Sequence, residues 1–233
     1  MAADPVAPGD TLAGRVDDVF GRIADAARAA SRDPATLTTI VVTKFHPAQL
    51  VRDLHALGLR DLGENRHQEA QAKAAETSDL EGLRWHFIGQ LQSKKARQVR
   101  SYATSVHSLD RDSVVDALAV DDGLVLDGFV QVNLTDDPGR GGVRAQELQH
   151  LTERILSSPG LALRGVMAVA PLDEEPRRAF ARLRELAETV TALAPDATAI
   201  SAGMSHDFAD AIAEGATHLR IGTAITGNRP DAR

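Results

Sequence analysis

Short apolar runs alternate with longer amphipathic segments along most of this chain. In residues 12–30 the apolar positions recur every three or four residues, which predicts an amphipathic helix that Thr11 can cap. The β-branched run at residues 39–43 predicts a strand, and Pro47 opens a second helical pattern that continues to Leu57. The chain is therefore expected to begin with a helix, a strand, a loop and a second helix.

The same alternation continues along the rest of the chain. Further strands are predicted at residues 59–62, 83–88, 105–109, 125–133, 162–170, 198–202 and 217–221. Further helices are predicted at residues 68–75, 93–100, 112–119, 145–156, 175–194 and 208–213. About eight strands that alternate with helices favour a parallel sheet with helical crossovers. The predicted fold class is α/β, a single (β/α)8 TIM-type barrel of roughly 250 residues, with an additional N-terminal helix.

An open, doubly wound sheet is the competing architecture. The sequence lacks the strongest signal of that architecture, because no Gly-x-Gly-x-x-Gly motif follows the first strand and residues 43–47 contain no glycine. Residues 1–10, with two prolines and a glycine, are predicted to form a flexible tail, and residues 11–233 to form one barrel domain. The glycine-rich segment 136–142 is interpreted as a strand-to-helix loop within that domain.

Composition excludes several classes of function. The chain has 233 residues, 43% of them apolar and 25% charged, as in ordinary globular proteins. Its formal net charge of -7 disfavours general attraction to nucleic acid or anionic membranes. Without cysteine there are no disulfides, thiolate metal sites or cysteine nucleophile, and the histidines show no metal-ligand spacing. With no signal-peptide pattern and no apolar run of membrane-spanning length, we expect a cytoplasmic protein.

In a barrel of this type the loops that follow the strands meet at one rim, where binding sites form. Lys44 ends the most β-branched strand, where a desolvated amine could form imines; a solvated surface lysine is the alternative. Asn65 follows the second predicted strand and could either orient a ligand or cap the next helix. His86 could contact a planar ligand inside the barrel, or it could be a core histidine with satisfied hydrogen bonds.

Residues 217–227 predict a strand, a glycine turn and a short helix, a geometry that presents backbone N–H groups to an anion such as phosphate. Phosphate sites after the last two strands recur in this architecture, and Ser205 could add a hydroxyl donor. An inward-pointing Arg220 would be a permanent donor to a carboxylate, a phosphate or a heteroaromatic nitrogen. A tight barrel closure at Gly222 and an outward-facing arginine are the corresponding alternatives.

Taken together, these segments resemble the YggS/PROSC family of pyridoxal 5′-phosphate (PLP) homeostasis proteins, whose fold is like the N-terminal barrel of alanine racemase. The resemblance covers nearly the whole chain after the tail. It rests on Val-Thr-Lys at 42–44, Gly-Glu-Asn at 63–65, Gln-Glu at 68–69, Trp-His-Phe-Ile-Gly at 85–89, Leu-Gln-Ser-Lys at 91–94, Gly-Met-Ser at 203–205 and Arg-Ile-Gly-Thr-Ala-Ile at 220–225. Phe45 departs from the family pattern, because a small polar residue is common there, and Arg66-His67 replace an aromatic and aliphatic pair.

The resemblance implies that the cofactor is PLP. The residues that it assigns to the cofactor are Lys44, Asn65, His86, Ser201, Ser205, Arg220, Gly222 and Thr223. Lys44 would form a covalent internal aldimine, and Arg220 would approach the pyridine nitrogen. Asn65 and His86 would line the cofactor pocket. The two serines, the glycine and the threonine would hold the phosphate.

A permanently cationic arginine beside the ring nitrogen would discourage its protonation and weaken the ring as a carbanion sink. The chain also lacks the second domain that contributes an opposing tyrosine in alanine racemases, and its only tyrosine, Tyr102, follows a helical segment. We therefore expect intracellular PLP buffering and delivery to PLP-dependent apoenzymes, without substantial racemase activity, by a monomer that has no nucleic-acid or membrane partner. The alternatives are a PLP-dependent amino-acid racemase-like enzyme and a Schiff-base aldolase that needs no PLP.

Overall fold

The structure, a computed structural model, describes residues 11–135, 137 and 139–228. The strands are β1 Thr38–Val42, β2 Asp61–Glu64, β3 Arg84–Phe87, β4 Ser105–Leu109, β5 Leu126–Gln131, β6 Leu161–Met167, β7 Ala199–Ser201 and β8 His218–Ile221. The α-helices are α1 Leu12–Ala29, α2 Ala48–Ala56, α3 His67–Glu76, α4 Ala96–Arg100, α5 Asp112–Leu118, α6 Leu148–Leu156, α7 Pro176–Leu193, α8 Phe208–Ala213 and α9 Thr223–Thr226. Short 3-10 turns occupy Pro34–Thr36, Ser93–Lys95 and Ala145–Glu147.

The eight strands form one closed parallel barrel in sequence order. Neighbouring strands pair along the whole circuit, and β8 closes it by pairing with β1, where Ile40 lies opposite Arg220. The predicted (β/α)8 barrel with an additional N-terminal helix is confirmed. Because all strands are parallel, their carboxyl ends and the loops that follow them share one rim.

Side chains along each strand alternate between two environments, as the pleat requires. Val41, Leu62 and Trp85 belong to the apolar layer between the strands and the surrounding helices. Burial of one such side chain contributes about 1.5–3 kcal/mol, so this layer holds the strands in register. The intervening residues point into the barrel, where His86 and His107 share a hydrogen bond of 3.0 Å.

The additional helix α1 and the residues that follow it contact α9 and the end of α8. Thr11 caps it as predicted, because its side chain accepts a hydrogen bond from the backbone N–H of Gly14. Arg15 donates from Nε to the carbonyl oxygen of Ile225 in α9 at 2.8 Å. Arg32, which follows α1, donates to the carbonyl oxygens of two residues around the end of α8. The first helix therefore supports the segment that closes the barrel.

One predicted strand is shifted in the structure, and the predicted tail lies outside it. The strand predicted at residues 59–62 runs instead from Asp61 to Glu64, because its apolar start belongs to the preceding loop. The tail predicted at residues 1–10 lies outside the described residues. Within the described ranges, no helix is long and apolar enough to cross a membrane.

The barrel interior holds imidazoles that resist protonation. Burial lowers the pKa of His218 to about 4, with smaller effects of the neighbouring His86 and Arg220 in the same direction and an opposing effect of Asp61. Burial likewise lowers the pKa of His107, with His86, Arg220 and His218 acting in the same direction. The rings of His107 and Phe129 stack with centroids 4.2 Å apart. These histidines are therefore neutral parts of the core at neutral pH.

We expect the free energy of unfolding to decrease as the pH is lowered from about 6.5 towards 4. The pKa of His218 is lowered from 6.5 to about 4, so the unfolded chain binds this proton first and acid favours unfolding. The difference between these two pKa values corresponds to a change of roughly 3 kcal/mol in the free energy of unfolding. Urea unfolding at a series of pH values measures it.

The matched comparison is His218→Phe, which keeps an aromatic ring beside Phe129 but cannot titrate. Its stability should depend less steeply on pH than that of the wild-type protein over the same range. His150→Gln removes an exposed histidine that pairs with Asp112, and it should not flatten the profile in this way. Equal slopes for wild type and His218→Phe would contradict the assignment.

Candidate functional site

Lys44 lies in a tight turn directly after β1. The turn is closed by a hydrogen bond of 3.1 Å from the backbone N–H of His46 to the carbonyl oxygen of Thr43. Phe45 adopts φ 68°, a left-handed conformation that favours glycine. The Lys44 side chain is exposed, which differs from the expectation of a desolvated amine, because the turn carries it beyond the strand into solvent.

Two side chains of α3 hold this turn in place. Glu69 accepts a hydrogen bond of 3.0 Å from the backbone N–H of Phe45. Lys73 donates from Nζ to the carbonyl oxygen of Thr43 at 2.7 Å. The backbone on both sides of Lys44 is therefore anchored to one helix, which limits where its amine can reach.

Lys73 also belongs to a buried ion pair beneath the turn. Its Nζ lies 2.5 Å from Oε1 of Glu64, which accepts a second hydrogen bond of 2.7 Å from the hydroxyl of Thr43. Burial raises the pKa of Glu64, although the Lys73 ammonium and the Thr43 hydroxyl oppose that shift. The other carboxylate oxygen, Oε2, is buried without a hydrogen-bond partner among the described residues. Lys73 therefore links Glu64 in β2 to the turn after β1.

The residues that depart from the family pattern pack together beside Lys44. The guanidinium carbon of Arg66 lies 4.9 Å from the ring centroid of Phe45, and the Lys44 ammonium lies 6.0 Å from it. Each distance is within the range of a cation–π contact. Two cations therefore lie within reach of the Phe45 ring at this part of the rim.

Asn65, directly after β2, is not a helix cap. The cap position of α3 is Arg66, and no side chain there accepts a hydrogen bond from the helix. Oδ1 of Asn65 is buried and has no hydrogen-bond partner within the part of the chain that the structure describes. A buried polar atom without a partner costs free energy, so the amide oxygen of Asn65 could accept a hydrogen bond from a ligand.

Gly89, after β3, allows the loops to approach closely at Asn65. A Cβ atom at position 89 would lie 2.1 Å from the carbonyl oxygen of Asn65 and 2.6 Å from its Cα. We expect Gly89→Ala to lower the free energy of unfolding by about 1–3 kcal/mol, because backbone must move. Gly21→Ala is the control, since nothing lies within 4 Å of that added atom. Equal unfolding free energies in urea for the two variants would contradict this expectation.

The loops after β7 and β8 bring together three of the four residues that were expected to hold the phosphate. The hydroxyl of Ser205, in the loop after β7, accepts a hydrogen bond of 3.4 Å from the backbone N–H of Ala224 in α9. Gly222 lies beside the end of β1, since an added Cβ would be 3.7 Å from Cβ of Val42. Thr223 is the exposed first residue of α9. Ser205, Gly222 and Thr223 therefore share one side of the rim.

Arg220 is buried in β8 with its guanidinium inside the barrel. Nη1 donates to the carbonyl oxygen and the hydroxyl of Ser201 at 2.7 and 2.8 Å, and Nη2 donates to the carbonyl oxygen of Ala168 at 2.8 Å. Burial lowers the pKa of Arg220 to about 10, although Asp207 opposes that shift. At neutral pH the group remains a cation and can only donate. The inward orientation predicted as one alternative is the one observed.

Two expected site residues, Ser201 and His86, have other partners. The Ser201 hydroxyl is fully buried between Arg220 and His107, at 2.8 and 2.9 Å. His86 contacts Asp61 and His107, nearer the amino ends of the strands than the rim that carries Lys44. The structure therefore brings Lys44, Asn65, Ser205, Gly222 and Thr223 to the rim. It places His86 and Ser201, which was expected to help hold the phosphate, deeper in the barrel.

Sequence reasoning missed Lys73 and His107. Lys73 lies three positions after Ala70 and six after His67, so all three share the buried face of α3. A lysine on that face indicates a buried charge with a partner. His107 is central in the buried strand β4, where its alternation with Val106 places it inside the barrel. Those two signals could have found both residues.

A broad cavity of about 900 Å³ lies elsewhere on the described surface, beside the loops after β5 and β6. It is lined by Leu134, Arg140, Leu172 and Arg182, among other residues, and by none of the candidate site residues. Because β5 and β6 are across the barrel from β1, this cavity is separate from the site at Lys44.

The family model for the N-terminal domain of alanine racemase matches residues 24–230. The fold and this match define the class, a barrel of the alanine racemase N-terminal domain type. The chain is 44% identical over 225 residues to the pyridoxal phosphate homeostasis protein of Pseudomonas aeruginosa, covering 94% of this chain and 96% of the relative. The protein of the same name from Escherichia coli is 34% identical, covering 94% and 97%. The chain belongs to the YggS/PROSC family of pyridoxal phosphate homeostasis proteins.

Solved structures agree with this membership. PipY of Synechococcus elongatus, described with PLP bound, has a TM-score of 0.81 and 34% identity, covering 93% of this chain and all (100%) of PipY. Alanine racemase from Corynebacterium glutamicum has a TM-score of 0.70 at 14% identity, covering 93% of this chain and 62% of the racemase. The second comparison shows that the fold is shared.

Proposed function

We propose that this protein binds PLP as a Schiff base on Lys44 and acts in PLP homeostasis by buffering and delivering the cofactor. The observation that carries the proposal is the grouping of Lys44, Asn65, Ser205 and Gly222–Thr223 at the carboxyl ends of four consecutive strands, β7, β8, β1 and β2. The relatives named for pyridoxal phosphate homeostasis and the PLP-bound PipY support it.

The residues at this rim fit the chemical groups of PLP. Asn65 offers a buried amide oxygen without a partner in the described structure, which suits a polar substituent of a ring. Ser205, Gly222 and Thr223 offer a hydroxyl and backbone at a glycine turn, which suits a phosphate. Arg220 offers a buried cation on the strand that leads to this turn, which suits the ring nitrogen.

PLP supplies an aldehyde that condenses with a primary amine and loses water. In this chain Glu69 and Lys73 hold the backbone of the turn that carries Lys44, so only the side chain of Lys44 has to move to meet an anchored aldehyde. Arg220 keeps its proton at neutral pH. It can therefore donate a hydrogen bond to a ring nitrogen without transferring the proton to it. The exposure of Lys44 leaves the site open to water and to other amines, which favours reversible binding over retention.

The racemase-like alternative needs a second acid–base group opposite the lysine. The only tyrosine in the sequence, Tyr102, has its hydroxyl 3.4 Å from Nδ1 of His67. Burial and the charge of Glu64 raise the pKa of Tyr102, so its hydroxyl is a weak acid held beneath α3. These contacts favour storage and release of PLP over proton transfer to both faces of an amino acid.

The test uses the small number of lysines, four in the whole sequence at positions 44, 73, 94 and 95. The purified protein is incubated with PLP and treated with borohydride, and the phosphopyridoxyl-lysine is located by peptide mass spectrometry. Label at Lys44 supports the proposal. Label confined to Lys94 or Lys95, or no label at any lysine, would overturn it.

A further inference from the structure

A continuous chain of hydrogen bonds crosses the barrel interior from Arg220 to Asp61. Nη1 of Arg220 donates to the hydroxyl of Ser201 at 2.8 Å, and that oxygen lies 2.9 Å from Nδ1 of His107. Nε2 of His107 lies 3.0 Å from Nδ1 of His86, and Nε2 of His86 lies 3.0 Å from Oδ1 of Asp61. We name these five residues the interior chain. They come from five strands, β8, β7, β4, β3 and β2.

With neutral imidazoles, one arrangement of protons satisfies every contact in the interior chain. Asp61 can only accept, because hydrogen bonds from Arg84 and His86 outweigh the effect of burial and hold its pKa below the usual range. His86 therefore carries its proton on Nε2, and its Nδ1 accepts from His107. His107 then accepts from the Ser201 hydroxyl, which accepts from Arg220. Each donor meets an acceptor, so the chain resists rotation of any one member.

The far end of the interior chain lies at a cavity on the opposite side of the barrel from Lys44. This cavity, about 260 Å³, is lined by Arg84, His86, Asp127, Arg164 and His218, with other residues at the starts of the strands. Arg84 pairs there with Asp61, and Arg164 donates to Asp127 at 2.7 Å. Asp61 is the member of the interior chain closest to solvent, because its side chain is 13% exposed and the others are buried.

We infer that His107 and His86, anchored on Asp61, are positioning residues that fix the Ser201 hydroxyl and, through it, the orientation of the Arg220 guanidinium. Residues near the amino ends of the strands thereby influence the proposed PLP site at the carboxyl ends without contacting it. The effect on Arg220 follows from the contacts alone, whereas its consequence for the PLP ring rests on the proposed function.

Among the described residues, Arg220 has one side-chain acceptor, the Ser201 hydroxyl. Its two other acceptors there are backbone carbonyl oxygens, of Ser201 in β7 and of Ala168 directly after β6. The Ser201 hydroxyl can rotate about its Cα–Cβ bond and would leave Arg220 if nothing held it. His107 holds it, and the stacking of His107 on Phe129 at 4.2 Å fixes the plane of the imidazole.

The test follows the side-chain N–H groups of Arg220 by NMR in the ligand-free protein, with the signals assigned from an Arg220→Lys sample. In the wild-type protein we expect resolved terminal N–H signals that exchange slowly with water. His107→Phe keeps a ring against Phe129 and removes both nitrogens, and it should speed exchange about tenfold, as expected for loss of one hydrogen bond to a charged group. His107→Gln, which keeps a donor and an acceptor on one planar group, should restore slow exchange.

Asp61→Ala and Asp127→Ala form a matched pair at the far cavity, because both remove a carboxylate that pairs with an arginine. Only Asp61 belongs to the interior chain, so only its loss should speed exchange at Arg220. Unchanged exchange in His107→Phe would overturn the inference. If that variant does not fold, equal exchange rates at Arg220 in Asp61→Ala and Asp127→Ala would overturn the inference.

A second readout connects the inference to the cofactor. The visible absorbance of PLP-loaded Asp61→Ala is compared with that of Asp127→Ala across pH, and we expect the pH profile to shift only in Asp61→Ala. Identical profiles would overturn the inferred effect on the cofactor ring. If the wild-type protein takes up no PLP, the proposed function fails, while the exchange measurements still decide whether the interior chain positions Arg220.

Discussion

Lys44→Ala is expected to abolish covalent PLP completely. The three lysines that remain are the buried Lys73, which is held by Glu64 and Thr43, and the pair at positions 94 and 95 in the turn after β3. Ser205, Gly222 and Thr223 are unchanged in this variant, so PLP should still bind without a bond to the protein. Borohydride treatment should therefore fix no cofactor, and the absorbance of the protein-bound imine should disappear.

Lys94→Ala is the matched control, since it also removes an exposed lysine. It should keep both the absorbance and the borohydride label. A Lys44→Ala variant that retains the wild-type yield of reduced label would show that another amine carries the cofactor. Loss of label in both variants would indicate that the region after β3 is needed for binding.

Lys73→Met should be the most destabilising of the single substitutions near the site. It leaves Glu64 buried without its ammonium partner, and breaking a buried pair in this way typically costs about 3–5 kcal/mol. It also removes the donor to the carbonyl oxygen of Thr43, so the turn that carries Lys44 loses one of its anchors. Urea unfolding measures the first effect, and the rate of PLP uptake measures the second.

The pH dependence of the free energy of unfolding distinguishes loss of the ion pair from loss of packing in Lys73→Met. Burial already raises the pKa of Glu64 and would raise it further without Lys73, so the folded variant binds a proton that the unfolded chain releases. The stability of Lys73→Met should therefore increase as the pH is lowered from 7 towards 5. Lys73→Met combined with Glu64→Gln should be more stable than Lys73→Met at pH 7. Equal stabilities of these two variants would contradict the ion-pair account.

The barrel could be predicted from sequence because its signals are local. The β-branched run of β1 and the three- and four-residue spacing of α1 each report burial on one face of one element. Strand β4 was predicted with its observed bounds, Ser105–Leu109. The bounds of β2 were less accurate, because the strand contains only one large apolar residue, Leu62, and its pattern is correspondingly weak.

The candidate site could be predicted only in part, since its decisive contacts are between residues far apart in sequence. Lys44 and the turn at Gly222 stand directly after apolar strands, so the order of residues points to them. No local pattern indicates that Lys73 reaches back to Thr43, or that His86 forms a hydrogen bond with His107. Those pairings depend on how neighbouring strands are staggered, which sequence alone does not specify.

The first and last helices that the structure describes lie against each other, with Arg15 of α1 bonded to Ile225 of α9. The proposed pocket also takes one wall from β1 and β2 and the other from β7 and β8. On the ribosome, a nascent polypeptide that has reached only α7 carries Lys44 but has neither the opposite wall nor a closed barrel. If Lys44 binds PLP as proposed, we expect binding to begin only after β8 and α9 have been synthesised, so that shorter nascent chains do not bind the aldehyde.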